Sequence, residues 1–268
     1  MDTVILLVLV LTTLGIAAIY TNIGLGGGVM HVPILMWVAG LDKNSAVAVS
    51  LSLVLGGAIA ASASHMKERM VEWRLAGILS AGAVIGAIFG SVFNLGLDPT
   101  LFKWLFILMI FLVCVRFAYD VARGKDCVDE CKTGLSRGQS IVTILVAVGA
   151  GFVSSMFGIG GGLIYVPLMM YYLRRQAKVS AFTSTVVIIP TSLVGLMTYL
   201  VGGRGVIFPD TVYWDTVYYI LALAPLAVIG GYMGSRLAVK RFGTWHIKAV
   251  FLVLALLVAV VMIYQMLL

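Results

Sequence analysis

Long apolar segments recur along almost the whole chain, and they constrain the fold more than any other feature. Most approach the roughly 20 residues that a helix needs to cross a bilayer. We count ten, with approximate ranges 4–21, 29–41, 45–64, 75–95, 101–119, 141–157, 163–173, 179–201, 216–238 and 248–268. Only 11% of residues are charged, whereas a soluble domain has about 25%. Long apolar runs, rather than short alternating ones, exclude a β-barrel, so the sequence predicts an all-α polytopic membrane protein.

Lysine and arginine are distributed unevenly over the connecting segments. Of the 18, 15 lie in or beside the loops after segments three, five, seven and nine, and three lie on the opposite side: Lys43, Lys103 and Arg204. Loops rich in Lys and Arg remain in the cytoplasm. We therefore expect a multi-pass protein of the cell (inner) membrane, with basic loops cytoplasmic and both termini outside. The net charge of +7 then reflects topology, and we expect the lipid bilayer, not nucleic acid, as partner.

Two glycine strings are copies of one motif. Gly24–Pro33 reads GLGGGVMHVP and Gly158–Pro167 reads GIGGGLIYVP, at an offset of 134. Further pairs align downstream at the same offset or at one of 144: Ser50 with Ser184, Gly86 with Gly230 and Gly90 with Gly234. The chain thus consists of two homologous repeats of about five segments each.

The repeats are expected to have opposite orientations, because five segments is an odd number. A loop that is rich in Lys and Arg in one repeat also corresponds to a loop with few of them in the other repeat. Inverted-topology repeats with discontinuous helices are characteristic of secondary transporters. We therefore divide the chain into an N-terminal repeat (1–120), a cytoplasmic linker (121–140) and a C-terminal repeat (141–268).

A glycine string that precedes a helix first suggests a nucleotide-binding loop. No strand precedes Gly24 and no Gly-Lys-Ser/Thr follows it, so the dinucleotide fingerprint and the P-loop are both excluded. Glycines can also interrupt a membrane helix where a cavity or protein surrounds the backbone. The N–H groups of the restarted helix then face a ligand. Because inverted symmetry would bring both restarts to the midplane, we predict a paired anion site, with Pro33 and Pro167 near the first turn of each restarted helix.

Close helix packing is the alternative role for these glycines. We favour packing for the glycines spaced four residues apart: Gly82, Gly86, Gly90, Gly230 and Gly234. For the two strings we favour ligand binding, since both copies precede a short segment and a proline. No buried Lys or Arg is evident in the membrane segments, so binding would depend on helix N-termini and hydroxyl groups.

The predicted substrate-binding residues are the string glycines and the polar residues that precede, follow or align with them. They are Asn22, Gly24, Gly26, Gly27, Gly28, His31, Ser50, Ser155, Gly158, Gly160, Gly161, Gly162, Tyr165, Thr183 and Ser184. The hydroxyl groups can instead bond to their own helix backbone. His31, which aligns with Tyr165, either carries a coupling proton or is a neutral, hydrogen-bonded histidine.

These motifs resemble the TauE/SafE family of sulfite and organosulfonate exporters. The resemblance rests on the doubled Gly-x-Gly-Gly-Gly-x-x-x-Val-Pro motif and on the AVAVS and AFTS stretches at 46–50 and 181–184. It covers nearly the whole chain and implies transport of sulfite, sulfonates, thiosulfate or other small anions, with uptake in some members. Val49 stands where the family usually has Thr, and His31 where it usually has an apolar residue.

We therefore expect a secondary transporter of a small sulfur-containing oxyanion, sulfite or an organosulfonate, that exports it by alternating access. The alternatives are an anion channel, an uptake carrier for another anion such as thiosulfate, and a membrane scaffold or assembly protein. An enzyme is not expected, because His31 has no paired carboxylate in the membrane segments and no Gly-x-Ser-Gly occurs. No cofactor or metal is expected either, since Cys127 and Cys131 lack a second ligand pair.

Overall fold

The structure is a computed structural model that describes residues 3–21, 24–66, 70–123, 137–202 and 210–241. Within these ranges the chain forms helices and no strand. The helices are α1 (Thr3–Tyr20), α2 (Gly28–Trp37), α3 (Lys43–His65), α4 (Trp73–Leu95), α5 (Pro99–Arg123), α6 (Arg137–Phe157), α7 (Gly162–Pro167, continued by a π-helical turn, Leu168–Tyr172), α8 (Ala177–Gly202) and α9 (Asp210–Arg241). The predicted tenth segment, 248–268, lies outside the described residues.

Five helical spans are long and apolar enough to cross a membrane. They are Lys43–Ser64, Trp73–Leu95, Gly138–Phe157, Ala177–Gly202 and Trp214–Ser235. This confirms the prediction of an all-α polytopic membrane protein. The second and seventh segments are half-helices: α2 has 10 residues, or about 15 Å, half of a hydrocarbon core of about 30 Å.

Large apolar side chains cover the outer faces of the helices. Phe111, Leu145 and Leu221 are 62%, 66% and 71% exposed, and an apolar surface of this kind suits lipid rather than water. Exposed tryptophans lie close to helix ends, where aromatic residues meet the membrane interface: Trp37, Trp73, Trp104 and Trp214. The described surface therefore matches a bilayer environment.

The two repeats are intertwined. Helices α3 and α8 pack against each other, α4 packs on α6 and α8, and α9 packs on α1 and α3. The fourth helix of each repeat thus packs on the first and third helices of the other repeat. Exchanging the repeats leaves these pairings unchanged, as expected if the copies are related by a two-fold axis. The helix bundles are α1, α2, α3 and α9 on one side, and α4, α6, α7 and α8 on the other.

Glycines bring α4 and α6 into backbone contact. A methyl group on Gly86 would overlap the Val148 carbonyl oxygen, and one on Gly151 would overlap the Ala83 carbonyl. At Gly82 the nearest atom would be the Ile144 carbonyl oxygen, at 2.8 Å. Small residues allow this approach because membrane helices gain mainly from close packing. The packing interpretation of the α4 glycines is thereby confirmed.

The prolines lie deeper in the short helices than predicted. Pro33 and Pro167 are each the sixth helical residue, in the second turn instead of the first. The helices begin at the last glycine of each string, so each proline follows five residues after the helix start. A proline there removes a backbone hydrogen bond, and after Pro167 the helix widens into the π-helical turn.

Candidate functional site

The backbone of both glycine strings has the same unusual conformation. Three glycines in each string have positive φ angles, between 70° and 88°: Gly24, Gly26, Gly27, Gly158, Gly160 and Gly161. Residues with a side chain rarely adopt positive φ angles, whereas glycine adopts them readily. The Gly-x-Gly-Gly part of the motif is therefore required by the backbone path in both copies.

The last glycine of each string is required for a different reason, which is space. Gly28 and Gly162 begin α2 and α7 with negative φ. A methyl group on Gly28 would overlap the Gly158 carbonyl, and one on Gly162 would overlap the Gly24 carbonyl. The two strings therefore touch reciprocally, with the helix start of one against the first glycine of the other.

Two apolar side chains lie between the strings. A methyl group on Gly26 would come 3.2 Å from Val54 and 3.6 Å from Ile188, and Gly160 is bounded by the same two side chains. Both are fully buried, on α3 and α8. Val54 and Ile188 align at the repeat offset of 134. Sequence reasoning missed them, although the offset could have identified them once Gly26 and Gly160 were paired.

Backbone donors without acceptors distinguish this region. The N–H groups of 26–29 and of 160–163 have no backbone acceptor among the described residues, and all eight residues are buried. The next N–H groups, those of Met30 and His31, donate to the Gly27 carbonyl at 3.1 and 3.3 Å. Buried N–H groups nearly always have a partner. A left-handed residue followed by a right-handed one, as at the last two glycines, forms a concave nest that binds anions.

Two serines tie the strings to the long helices. Ser50 on α3 donates to the Gly158 carbonyl at 2.8 Å, and Ser184 on α8 donates to the Gly24 carbonyl at 2.8 Å. Each hydroxyl thus connects the helix of one repeat to the string of the other. Anion binding by these serines stays a prediction, since in this conformation their protons point to carbonyl oxygens.

The chain matches the family described as Sulfite exporter TauE/SafE over residues 9–262. It belongs to the TauE/SafE family. Among curated proteins it is 26% identical to the probable membrane transporter protein YunE of Bacillus subtilis, over 96% of this chain and 97% of that protein. A probable membrane transporter protein of Haemophilus influenzae is 24% identical, over 99% and 98%. No solved structure matches. The protein is thus a membrane transporter.

The candidates His31 and Tyr165 occupy equivalent positions in this TauE/SafE protein. The His31 ring lies next to Gly27, with Cε1 3.5 Å from where a methyl group would stand, and the Tyr165 ring covers Gly161. His31 is 3% exposed, and neither ring nitrogen has a hydrogen-bond partner among the described residues. A neutral, hydrogen-bonded histidine was the alternative for His31, and the part of the chain that is described offers no partner for that hydrogen bond.

Other predicted ligands of the TauE/SafE site lie in separate contacts. The Thr183 hydroxyl accepts from the backbone N–H of Glu72 at 3.1 Å, beside an ion pair between Glu72 and Arg175 at 2.7 Å. The hydroxyls of Ser155 and Ser91 are 2.9 Å apart. Thr183 thus lies against the start of α4, and Ser155 against its last turns. Asn22 lies outside the described residues.

Two cations that lie outside the predicted membrane segments are buried. Lys43 and Arg175 are only 6% and 3% exposed. Lys43 donates to the Asn94 carbonyl near the end of α4, and Arg175 pairs with Glu72 at its start. Lys43 is the first residue of α3 and Arg175 lies just before α8, so each cation is at a helix start and contacts one end of α4.

Proposed function

We propose that this protein is a secondary transporter of a small sulfur-containing oxyanion, sulfite or an organosulfonate, and that it works as an exporter. The observation that carries the proposal is the set of buried N–H groups in both strings that have no backbone acceptor among the residues the structure describes. An oxyanion supplies the missing acceptors, and the positive ends of α2 and α7 favour its charge. The family description supports sulfite as the substrate class.

Alternating access around this site would use the helix bundles as the moving bodies. One string precedes α2 and the other precedes α7, so each string belongs to a different bundle. Rocking of the bundles would separate the strings on one side of the membrane at a time, as inverted-repeat transporters do. His31, buried next to Gly27, would carry the coupling proton.

Sidedness forms part of the proposal, with the basic loops in the cytoplasm and both termini outside. Cys127 and Cys131 lie outside the described residues, in the basic loop after α5. A membrane-impermeant maleimide should label them in inside-out vesicles only. Labelling in right-side-out vesicles alone would reverse the orientation.

Flux in reconstituted liposomes tests the proposal. The assay measures counterflow of sulfite, sulfoacetate, thiosulfate and sulfate, with and without a proton gradient. We expect sulfite or sulfoacetate counterflow, which a channel does not show. Gly26→Ala and Gly160→Ala should abolish it, because both glycines have positive φ. Gly149→Ala is the control, since a methyl group there meets nothing within 4 Å.

Two outcomes contradict the proposal. If none of the four anions binds or moves, the protein does not transport sulfur oxyanions. If the glycine variants reduce only the amount of folded protein and leave flux per folded molecule unchanged, the strings do not form the site. His31→Gln tests the coupling separately: anion counterflow should persist while its response to the proton gradient disappears. Tyr165→Phe, at the aligned position, should retain that response.

A further inference from the structure

Among the buried hydroxyl groups on α3 and α8, three have no hydrogen-bond partner among the described residues: Ser62, Ser180 and Ser192. Thr191 donates to the Val187 carbonyl at 2.8 Å, as a hydroxyl inside a helix commonly does. Ser192 is 0% exposed, and its Oγ has no hydrogen-bond partner among the described residues. Burying a hydroxyl without a partner is unfavourable, so this group requires an explanation.

Ser192 lies beside the second glycine string. A methyl group on Gly160 would come 3.7 Å from the Ser192 Oγ, which is ordinary van der Waals range. The N–H groups of 160–163 are among the buried donors that have no backbone acceptor in the described part of the chain. The Ser192 hydroxyl thus lies near the backbone donors of the second string, and none of these groups has an acceptor in the described part of the chain.

The first string has no equivalent hydroxyl. At the repeat offset of 134, Ala58 on α3 takes the place of Ser192 on α8. Ala58 is fully buried and belongs to the apolar cluster around Val54 and Ile188. The region between the strings is thus asymmetric, with an additional side-chain donor on the side of the second string.

We propose that the Ser192 hydroxyl is a ligand of the transported oxyanion. It donates to one oxygen of the anion while the backbone N–H groups of the second string donate to others. This inference rests on the proposed function and deepens it. An anion with several oxygens can accept from donors that lie several ångströms apart, whereas a single halide ion offers one acceptor atom, so Ser192 favours polyatomic oxyanions.

Anion-induced stabilisation of the purified full-length protein tests this role independently of flux. The thermal unfolding midpoint is measured against the concentration of sodium sulfite or sodium thiosulfate, with sodium chloride keeping the ionic strength constant. Ser192→Ala should raise the half-saturating oxyanion concentration about tenfold, the effect of one charge-assisted hydrogen bond. Ser192→Cys should act in the same direction, because a thiol is a weak donor.

Ser180→Ala is the matched control. Ser180 lies on the same helix, is 0% exposed and also has no partner for its Oγ among the described residues, but its Oγ is not among the atoms nearest to any string glycine. Its half-saturating concentration should stay within about twofold of wild type. If wild type is stabilised by sulfite and Ser192→Ala retains the same half-saturation, the inference about Ser192 is wrong and the proposed function stands. If neither oxyanion stabilises wild type and neither is transported, both fail.

Discussion

Ser50 and Ser184 show how single residues hold the two strings in place. Each donates to the first glycine of the opposite string at 2.8 Å, and each is fully buried. We expect Ser50→Ala and Ser184→Ala to lower the free energy of unfolding by similar amounts, about 1–3 kcal/mol, because a buried carbonyl loses its partner. Denaturant titration of the purified protein in detergent measures this.

Ser52→Ala serves as control for these two variants. The Ser52 hydroxyl is also buried on α3 but donates within its own helix, to the Val49 carbonyl at 2.6 Å. Its loss should cost about 0.5 kcal/mol or less, since the bond is local. An equal cost at all three positions would show that the contacts between the repeats add nothing to stability.

The packing of α4 on α6 is the feature to test at the level of secondary-structure elements. A methyl group on Gly86 would overlap the Val148 carbonyl oxygen, so the helices must move apart to accommodate alanine. We expect Gly86→Ala to destabilise the protein by about 1–3 kcal/mol, read as a lower thermal unfolding midpoint in detergent.

Gly77→Ala, in the same helix, is the matched control. A methyl group on Gly77 meets nothing within 4 Å. Because alanine favours helix by up to about 1 kcal/mol over glycine, this variant should be neutral or slightly stabilising. A midpoint for Gly86→Ala equal to that of Gly77→Ala would mean that α4 and α6 are not in backbone contact.

In the whole molecule, each repeat packs its fourth helix, α4 or α9, against helices of the other repeat. The fold of each repeat therefore depends on the other. Helix α4 packs on α6 and α8, and α9 packs on α1 and α3. We expect fragments 1–123 and 137–268 to assemble when expressed together and to aggregate or be degraded when expressed alone. Co-purification through a tag on one fragment measures assembly. A stable, monomeric fragment 1–123 would contradict the intertwined arrangement.

Much of the fold could be predicted from the sequence, for identifiable reasons. Hydrophobic length alone gave the helices, because a bilayer requires about 20 apolar residues to cross it. The glycine motif predicted the breaks before α2 and α7, which the positive φ angles bear out. The prolines are the sixth residue of each helix, just beyond the first turn near which they were predicted, because periodicity does not specify the residue at which a helix restarts after four glycines.

The candidate site was predictable only in part. The string glycines were found because they are duplicated. Which hydroxyl lacks an acceptor could not be read from the sequence, because Ser184 and Ser192 lie on one helix and differ only in what faces them. The burial of Lys43 and Arg175 likewise depends on where α4 lies.

The sequence by itself determined that this chain is a helical membrane protein with two copies of a glycine-broken segment. Periodicity, hydrophobic length and repetition are properties of the sequence itself, so they can be recognised without knowledge of how the helices pack. Only the tertiary structure decided that the strings touch, that Val54 and Ile188 contact both of them, and that Ser192 has no partner among the residues described. The contacts that join one string to the other link residues more than 100 positions apart, and they exist only once the repeats pack together.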